Sequence, residues 1–134
     1  MATKGTLHCS VITPEERVVD TDATSIILPA HDGQIGIMKD RAPLLCELGV
    51  GVLHIEGGSN EAKDYYIDGG FAQVLNNEVT ILTEKAAPAA KLSRAEAQKE
   101  LAAAEAMPIP DEAASVARTR AINRAKVKLR LANN

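Results

Sequence analysis

Aromatic residues are almost missing from this chain of 134 residues: Tyr65, Tyr66 and Phe71 make up the whole 2%, and there is no tryptophan. A core must therefore be packed from Val, Ile, Leu and Ala. The scarcity argues against a base-stacking platform for single-stranded nucleic acid, which relies on aromatic side chains. Cysteine is scarce too. Cys9 and Cys46 have no C-x-x-C spacing and fit reduced, buried thiols better than a disulfide framework. No segment reaches the roughly 18 apolar residues of a membrane span, and no opening stretch joins basic residues to an apolar run. The expectation is a soluble chain that meets a membrane only through a partner.

Catalytic signatures are the next shortage. There is no nucleophile elbow, no P-loop and no G-x-G-x-x-G. His8, His31 and His54 stand far apart, and His8 and His54 fall inside strand patterns, where a structural role is expected over a ligand role. Asp20 with Asp22, and Asp32 with Asp40, read as turn residues rather than paired acid–base groups. Gly69-Gly70 reads as a turn pair. No catalytic residue, cofactor site or metal site is expected.

What is present is organised by charge and by period. Residues 1–90 hold six basic and 13 acidic residues, a net −7, whereas residues 111–134 hold six basic and two acidic ones, a net +4. The basic set is Arg118, Arg120, Arg124, Lys126, Lys128 and Arg130. Such a segment fits nucleic acid, an anionic membrane, an acidic partner, the chain's own acidic body, or a solvated helix face.

Up to about residue 85 the pattern is that of short strands. Leu7 to Thr13 alternates, with Leu7, Cys9 and Val11 on one face. Arg17–Asp20, Ala23–Leu28, Ile35–Met38, Val50–Glu56, Ala62–Asp68, Phe71–Leu75 and Glu78–Thr83 follow. Gly57-Gly58-Ser59-Asn60 reads as a turn, and Asn76-Asn77 as a two-residue hairpin loop, because asparagine tolerates the positive φ of a type I′ turn. Between the strands, Leu28 to Leu45 (L-P-A-H-D-G-Q-I-G-I-M-K-D-R-A-P-L-L) is shaped by Pro29, Gly33, Gly36 and Pro43: a turn, a short strand, another turn, then an apolar run expected to be buried.

The period changes after Glu84. Lys85 to Ala90 reads as a linker, and alanine dominates from Leu92 onward. Ser93 and Glu96 form an S-x-x-E capping box for a helix over about 94–106. Met107-Pro108-Ile109-Pro110 breaks that helix, and Asp111 caps a second over about 112–131. The expected fold class is a mainly β N-terminal domain, a small β-sandwich or flattened barrel over residues 1–86, followed by a linker and a C-terminal α-helical hairpin over 87–134. The packed helix faces are expected to carry mostly Ala95, Ala102, Ala106, Ala114, Ala117, Ala121 and Ala125, a shallow set that allows loose docking.

Two blocks then carry a resemblance. Leu28 to Gly51 is similar to a signature with L-P-G, G-x-x-G-I and H-A-P-L-L, and Tyr65 to Ala86 is similar to G-G-F-x-E-V-x-x-N-x-V-T-x-L-A. In this order they resemble the ε subunit of the rotary F-type ATP synthase. The resemblance implies a non-catalytic subunit of the central stalk that couples the c-ring to the γ shaft. It sits peripherally at the cytoplasmic face of the bacterial inner membrane and binds no nucleic acid. It points to Gln34, Arg41, Ala42, Pro43 and Leu44 as contacts with γ or the c-ring. It also implies a helical hairpin that inhibits ATP hydrolysis by meeting an acidic surface of the α/β head through the six cations above. Ala30 stands where glycine is usual, and Asp40-Arg41 where asparagine or glycine precedes histidine. The I-D-x-x-R-A motif of ATP-binding relatives becomes Leu92-Ser93-Arg94-Ala95-Glu96-Ala97, so ATP binding by the subunit is expected to be weak or absent. The alternative is a β-sandwich ligand- or protein-binding module with a helical appendage.

Overall fold

The computed structural model describes residues 6–57 and 63–132. Eight strands pair in one continuous sheet: β1 (Leu7–Ile12), β2 (Arg17–Ala23), β3 (Ser25–Ala30), β4 (Gly33–Met38), β5 (Leu44–Glu56), β6 (Asp64–Leu75), β7 (Glu78–Leu82) and β8 (Ala86–Pro88). Their order is β2-β1-β7-β6-β5-β3-β4, with β8 on β6. All pairs are antiparallel except β1 with β7. A short 3-10 turn, Ala89–Lys91, precedes α1 (Arg94–Glu105) and α2 (Glu112–Ala132). The chain divides into two compact units, Met1–Pro88 and Ala89–Asn134.

The first unit becomes two-layered because its two longest strands change face partway along. In β5, Leu44, Cys46 and Leu48 turn toward the core, and beyond Gly49 the buried positions are Gly51, Leu53 and Ile55. In β6 the inward set changes from Tyr65 and Ile67 to Ala72 and Val74. A strand with a strict period of two cannot do this, so the backbone must distort at the switch. Ladder pairing skips from Leu48↔Gly70 to Val50↔Asp68, and Gly69 and Gly70 take φ of +72° and +104°. A Cβ on Gly70 would lie 1.9 Å from the Leu82 carbonyl oxygen, so only glycine fits. The C-terminal half of β6 pairs with β7 and the N-terminal half with β8, and the core between the layers is Leu7, Cys9, Val11, Ile26, Leu28, Ile37, Leu53, Ile67, Val79 and Ile81.

These observations correct several expectations. Gly69-Gly70 is a bend within one strand, not a turn between two. The residues read as a linker include a strand, β8. The run after Pro43 is not wholly buried: Leu45 is 71% exposed. Asp20 and Asp22 lie inside β2 rather than in a turn. The turn expected at Gly57-Gly58-Ser59-Asn60 lies largely outside the described residues. The Asn76-Asn77 hairpin forms, with φ of +51° and +63° closing the Leu75↔Glu78 pair. Both cysteines are free, and burial, then the nearby Asp20 charge, pushes the Cys9 thiol up to about 12.

In the second unit, Ser93 Oγ accepts from the Glu96 N–H at 3.2 Å, and Asp111 Oδ1 accepts from the Ala114 N–H at 2.8 Å, so both helix starts are capped as their sequences require. Helix α1 buries Ala97 and Ala104, seven residues apart and hence on one side. Ala95, Ala102 and Ala106, expected on that side, are exposed. Helix α2 buries Ala125, Val127 and Leu131.

Candidate partner-docking surface

The outward face of the β1–β7–β6–β5 layer carries large exposed apolar side chains among polar ones such as Glu47, Gln73, Glu78 and Thr80. Opposite Val74, Val79 and Ile81, which fill the core, stand Leu45, Phe71, Leu75 and Leu82, at 71%, 54%, 44% and 52% exposure. Phe71 and Leu82 are direct cross-strand partners and Leu82 also pairs with Ile12, while Leu45, opposite Gln73, lies diagonal to Phe71 and Leu75, so these side chains neighbour one another in a strip interrupted by Gln73. An apolar groove of about 370 Å³ beside it is lined by Ile12, Thr13, Pro14, Gly70, Leu82, Thr83 and Glu84. Exposed apolar side chains gathered on one face with polar neighbours mark an interaction site.

Next to this face lies the loop between β4 and β5, Lys39 to Pro43. Gln34 is exposed on β4, an edge strand, and Arg41, Ala42 and Pro43 are exposed in the loop. Leu44 is half-buried against the core, and it is Leu45 that points outward. The strip Leu45, Phe71, Leu75 and Leu82, together with Met38 at 66% exposure, was not singled out from the sequence. The available signal was adjacency: Leu44-Leu45, Val74-Leu75 and Ile81-Leu82 place an apolar residue on each face of a strand.

Two histidines are each held between carboxylates. His8 faces Asp22 through Nδ1 at 3.0 Å and Asp20 through Nε2, and Arg17 reaches Asp20 at 3.2 Å. Hydrogen bonding to His8, then to Arg17, holds the Asp20 carboxyl below its usual range. His54 repeats the arrangement, with Asp64 at Nδ1 and Glu56 at Nε2, each at 2.6 Å. These bonds, Asp64's first, push the His54 pKa up, and the bond to His54 pulls that of Glu56 down. With both ring nitrogens engaged, neither histidine offers a free lone pair to a substrate. Among the described residues no group of three or more His, Cys, Asp or Glu is arranged to hold a metal ion.

The cations of α2 divide. Arg118 donates to the Glu105 carbonyl at 3.0 Å and Lys128 to Glu100 Oε1 at 3.1 Å, whereas Arg120, Lys126 and Arg130 are exposed and Arg124 is half-buried. The six expected residues are thus one helix's cations but not one surface.

The family model for the ATP synthase delta/epsilon chain beta-sandwich domain matches residues 6–89. The ATP synthase epsilon chain of Rhodopirellula baltica is 39% identical over 124 residues, spanning 92% of this chain and 96% of that one. The epsilon chain of Lawsonia intracellularis is 40% identical over 102 residues, 73% of this chain and 74% of its own. Among solved structures, a chain in the Euglena gracilis mitochondrial ATP synthase (OSCP/F1/c-ring) superposes with a TM-score of 0.83 at 23% identity, covering 97% of this chain and 82% of that chain. One in the central stalk and c-ring of the Tetrahymena thermophila enzyme gives 0.72 at 16%, covering 98% and 99%. At those identities the superpositions speak for the fold.

Proposed function

The chain belongs to the ATP synthase epsilon chain family, and from that premise we propose that it is a non-catalytic central-stalk subunit. Its sandwich links the c-ring to the γ subunit, and its hairpin restrains ATP hydrolysis. The observation that carries this reading is the uncovered apolar strip on a sheet whose other face is already filled. A surface of that kind marks an interaction site, and γ is the partner the reading assigns to it. The β4–β5 loop, with Arg41, Ala42 and Pro43, and Gln34 on the β4 edge, then meet the c-ring. Leu44 supports the loop from inside.

The subunit has no chemistry of its own in this reading; it transmits torque, and stiffness is what the task requires. Among the described residues no helix is long and apolar enough to cross a membrane. The subunit lies peripherally on the membrane through the complex, at the cytoplasmic face of a bacterial inner membrane. Helix α2 contributes Arg120, Lys126 and Arg130 as its exposed cations, and complementary charge on the α/β head would steer and hold it. No cofactor is assigned, and ATP binds the isolated subunit weakly or not at all; sub-millimolar affinity in calorimetry would show otherwise.

The test of the central claim is the double variant Phe71→Ser, Leu82→Ser. It should fold, because both side chains face water in the isolated subunit, yet fail to co-purify with γ. Retention of γ by this variant defeats the assignment. Removal of residues 91–134 should raise ATP hydrolysis by the assembled enzyme, and unchanged activity removes the inhibitory role. A free ligand-binding module, the other reading open at the level of sequence, would not travel with γ at all.

A further inference from the structure

We propose that Asn77 is a positioning residue: through a reciprocal pair with Asp40 it holds the β4–β5 loop in the geometry that meets the partner. This inference rests on the reading in which that loop is a contact surface.

The loop has little else to fix it. Between the end of β4 at Met38 and the start of β5 at Leu44, five residues cross without ladder pairing, and the internal bond, Arg41 N–H to the Met38 carbonyl, is 3.3 Å long. Among the described residues its hydrogen-bonded link to another part of the sandwich is to Asn77, 37 positions away. The Asp40 N–H donates to Asn77 Oδ1 at 2.6 Å, and Asn77 Nδ2 donates to Asp40 Oδ1 at 3.2 Å. One bond fixes a distance and lets the loop swing; two between the same residues also fix its rotation.

Asn77 is itself held. It is the second residue of the β6–β7 turn, and its carbonyl accepts from the His8 N–H at 2.9 Å, so β1, β6 and β7 stand behind it. Asp40 and Asn77 both occupy the left-handed region, at φ of +65° and +63°, where asparagine and aspartate are tolerated and most residues are not. The pairing also needs an acceptor and a donor on one short side chain. Aspartate at 77 would set two carboxylates against each other, and serine has a single oxygen where the amide offers two separate atoms, one for each bond. The consequence is a short path from the loop to the turn that ends the apolar strip at Leu75: the two proposed partner surfaces are joined by two hydrogen bonds.

Positive φ at both positions makes the test clean, because glycine keeps each backbone shape while deleting the side chain. In Asn77→Gly the turn becomes Asn-Gly, a favoured type I′ sequence, so the hairpin survives. Hydrogen exchange at the Asp40 amide in the free subunit should quicken about tenfold in Asn77→Gly, by loss of a hydrogen bond to a fixed partner. Asp40→Asn, which keeps the acceptor, should leave loop exchange unchanged. Asp40→Gly should loosen Arg41 and Ala42 as Asn77→Gly does, and the double variant should add nothing further, because the two residues share one interaction. In the assembled enzyme, proton-driven ATP synthesis should fall in both glycine variants and be retained in Asp40→Asn. Unaltered exchange in Asn77→Gly, or additive effects in the double variant, overturns the proposal. Arg41→Ala with Ala42→Asp separates the two ideas. If this pair lowers synthesis and Asn77→Gly does not, the positioning role falls and the contact reading stands. If exchange responds to Asn77→Gly but neither set lowers synthesis, the contact reading falls and takes the proposal with it.

Discussion

The sandwich and the helical hairpin are both compact, but different materials hold them. At the centre of the sandwich Leu7, Ile26, Leu28, Ile37, Leu53, Ile67 and Ile81 are fully buried, each contributing about 1.5–3 kcal/mol. The hairpin buries Ala97 and Ala104 from α1, and Ala125, Val127 and Leu131 from α2; an alanine methyl contributes only about 0.8 kcal/mol. The hairpin relies instead on the helix propensity of alanine, on two capped starts and on polar links such as Arg118 to the Glu105 carbonyl. A deep aliphatic core gives one stiff geometry, as a torque-bearing part needs. A shallow alanine seam holds α1 on α2 with little to spare, so the hairpin is the unit that losing a single weak contact can loosen.

The comparison can be broken most forcefully at the bend of β6. Gly70→Ala should cost more than about 4 kcal/mol and abolish folding of the sandwich, because the new Cβ must displace the Leu82 carbonyl at a φ of +104°. Ile81→Ala, which opens a cavity in the core, should cost about 2–5 kcal/mol. In the hairpin, Ala104→Gly should cost only about 1 kcal/mol, mostly in helix propensity. The two units report separately: both tyrosines lie on β6 and no tryptophan is present, so tyrosine fluorescence follows the sandwich while helical circular dichroism follows the hairpin. If Ile81→Ala shifts the two signals equally, the units unfold as one and the contrast is lost.

Much of this architecture could be read from local pattern, and what escaped was set by distant partners. Leu7, Cys9 and Val11 alternate and are buried; Asn76-Asn77 makes its turn; Ser93 and Asp111 cap their helices. In each case the cause lies within a few residues. Gly69-Gly70 looks like a turn because two glycines usually make one, and the reason they bend a strand instead is the Leu82 carbonyl, from another strand. Asp20 and Asp22 look like loop residues until β1 brings His8 against them. In the candidate site, exposure of Gln34 and Arg41 was legible in the sequence. The choice of Leu45 over Leu44 was not, because it depends on the phase of β5 on the near side of its switch at Gly49. The Asp40–Asn77 pair spans 37 positions, beyond any local pattern.

A smaller effect should sharpen the difference through pH. The His54 pKa in the fold lies above its usual 6.5, so the folded state binds a proton more tightly than the unfolded chain. The stabilisation is fully present below about 6.5 and is lost as pH rises through the folded value. Glu56 and Asp20, whose values are lowered in the fold, act in the opposite sense: their contribution is present above the ordinary carboxylate range and is lost as pH falls through the folded values. The sandwich should therefore be most stable in mildly acidic solution. In His54→Gln the decline on the alkaline side should flatten in the tyrosine signal, while the helical signal keeps the same pH dependence in both proteins. An unchanged slope would mean that the paired carboxylates do not hold the His54 proton.

The weakest lever is the Lys128–Glu100 bond across the hairpin, at 3.1 Å between a lysine that is mostly covered and a glutamate that is more open. Coulomb attraction at such a site is reduced by solvent and offset by the entropy of fixing two long side chains. Glu100→Gln should therefore lower the stability of the hairpin by about 0.5 kcal/mol. The loss should shrink further in 1 M salt, where the screening length falls to about 3 Å. Small as it is, it should register in the helical signal and leave the tyrosine signal alone. The reason is proportion: against a seam of alanines half a kilocalorie is a visible fraction of what keeps α1 on α2, and against the aliphatic core it would vanish. A Glu100→Gln variant whose helical transition is unmoved at low salt would show that the seam, shallow as it is, suffices without its polar links.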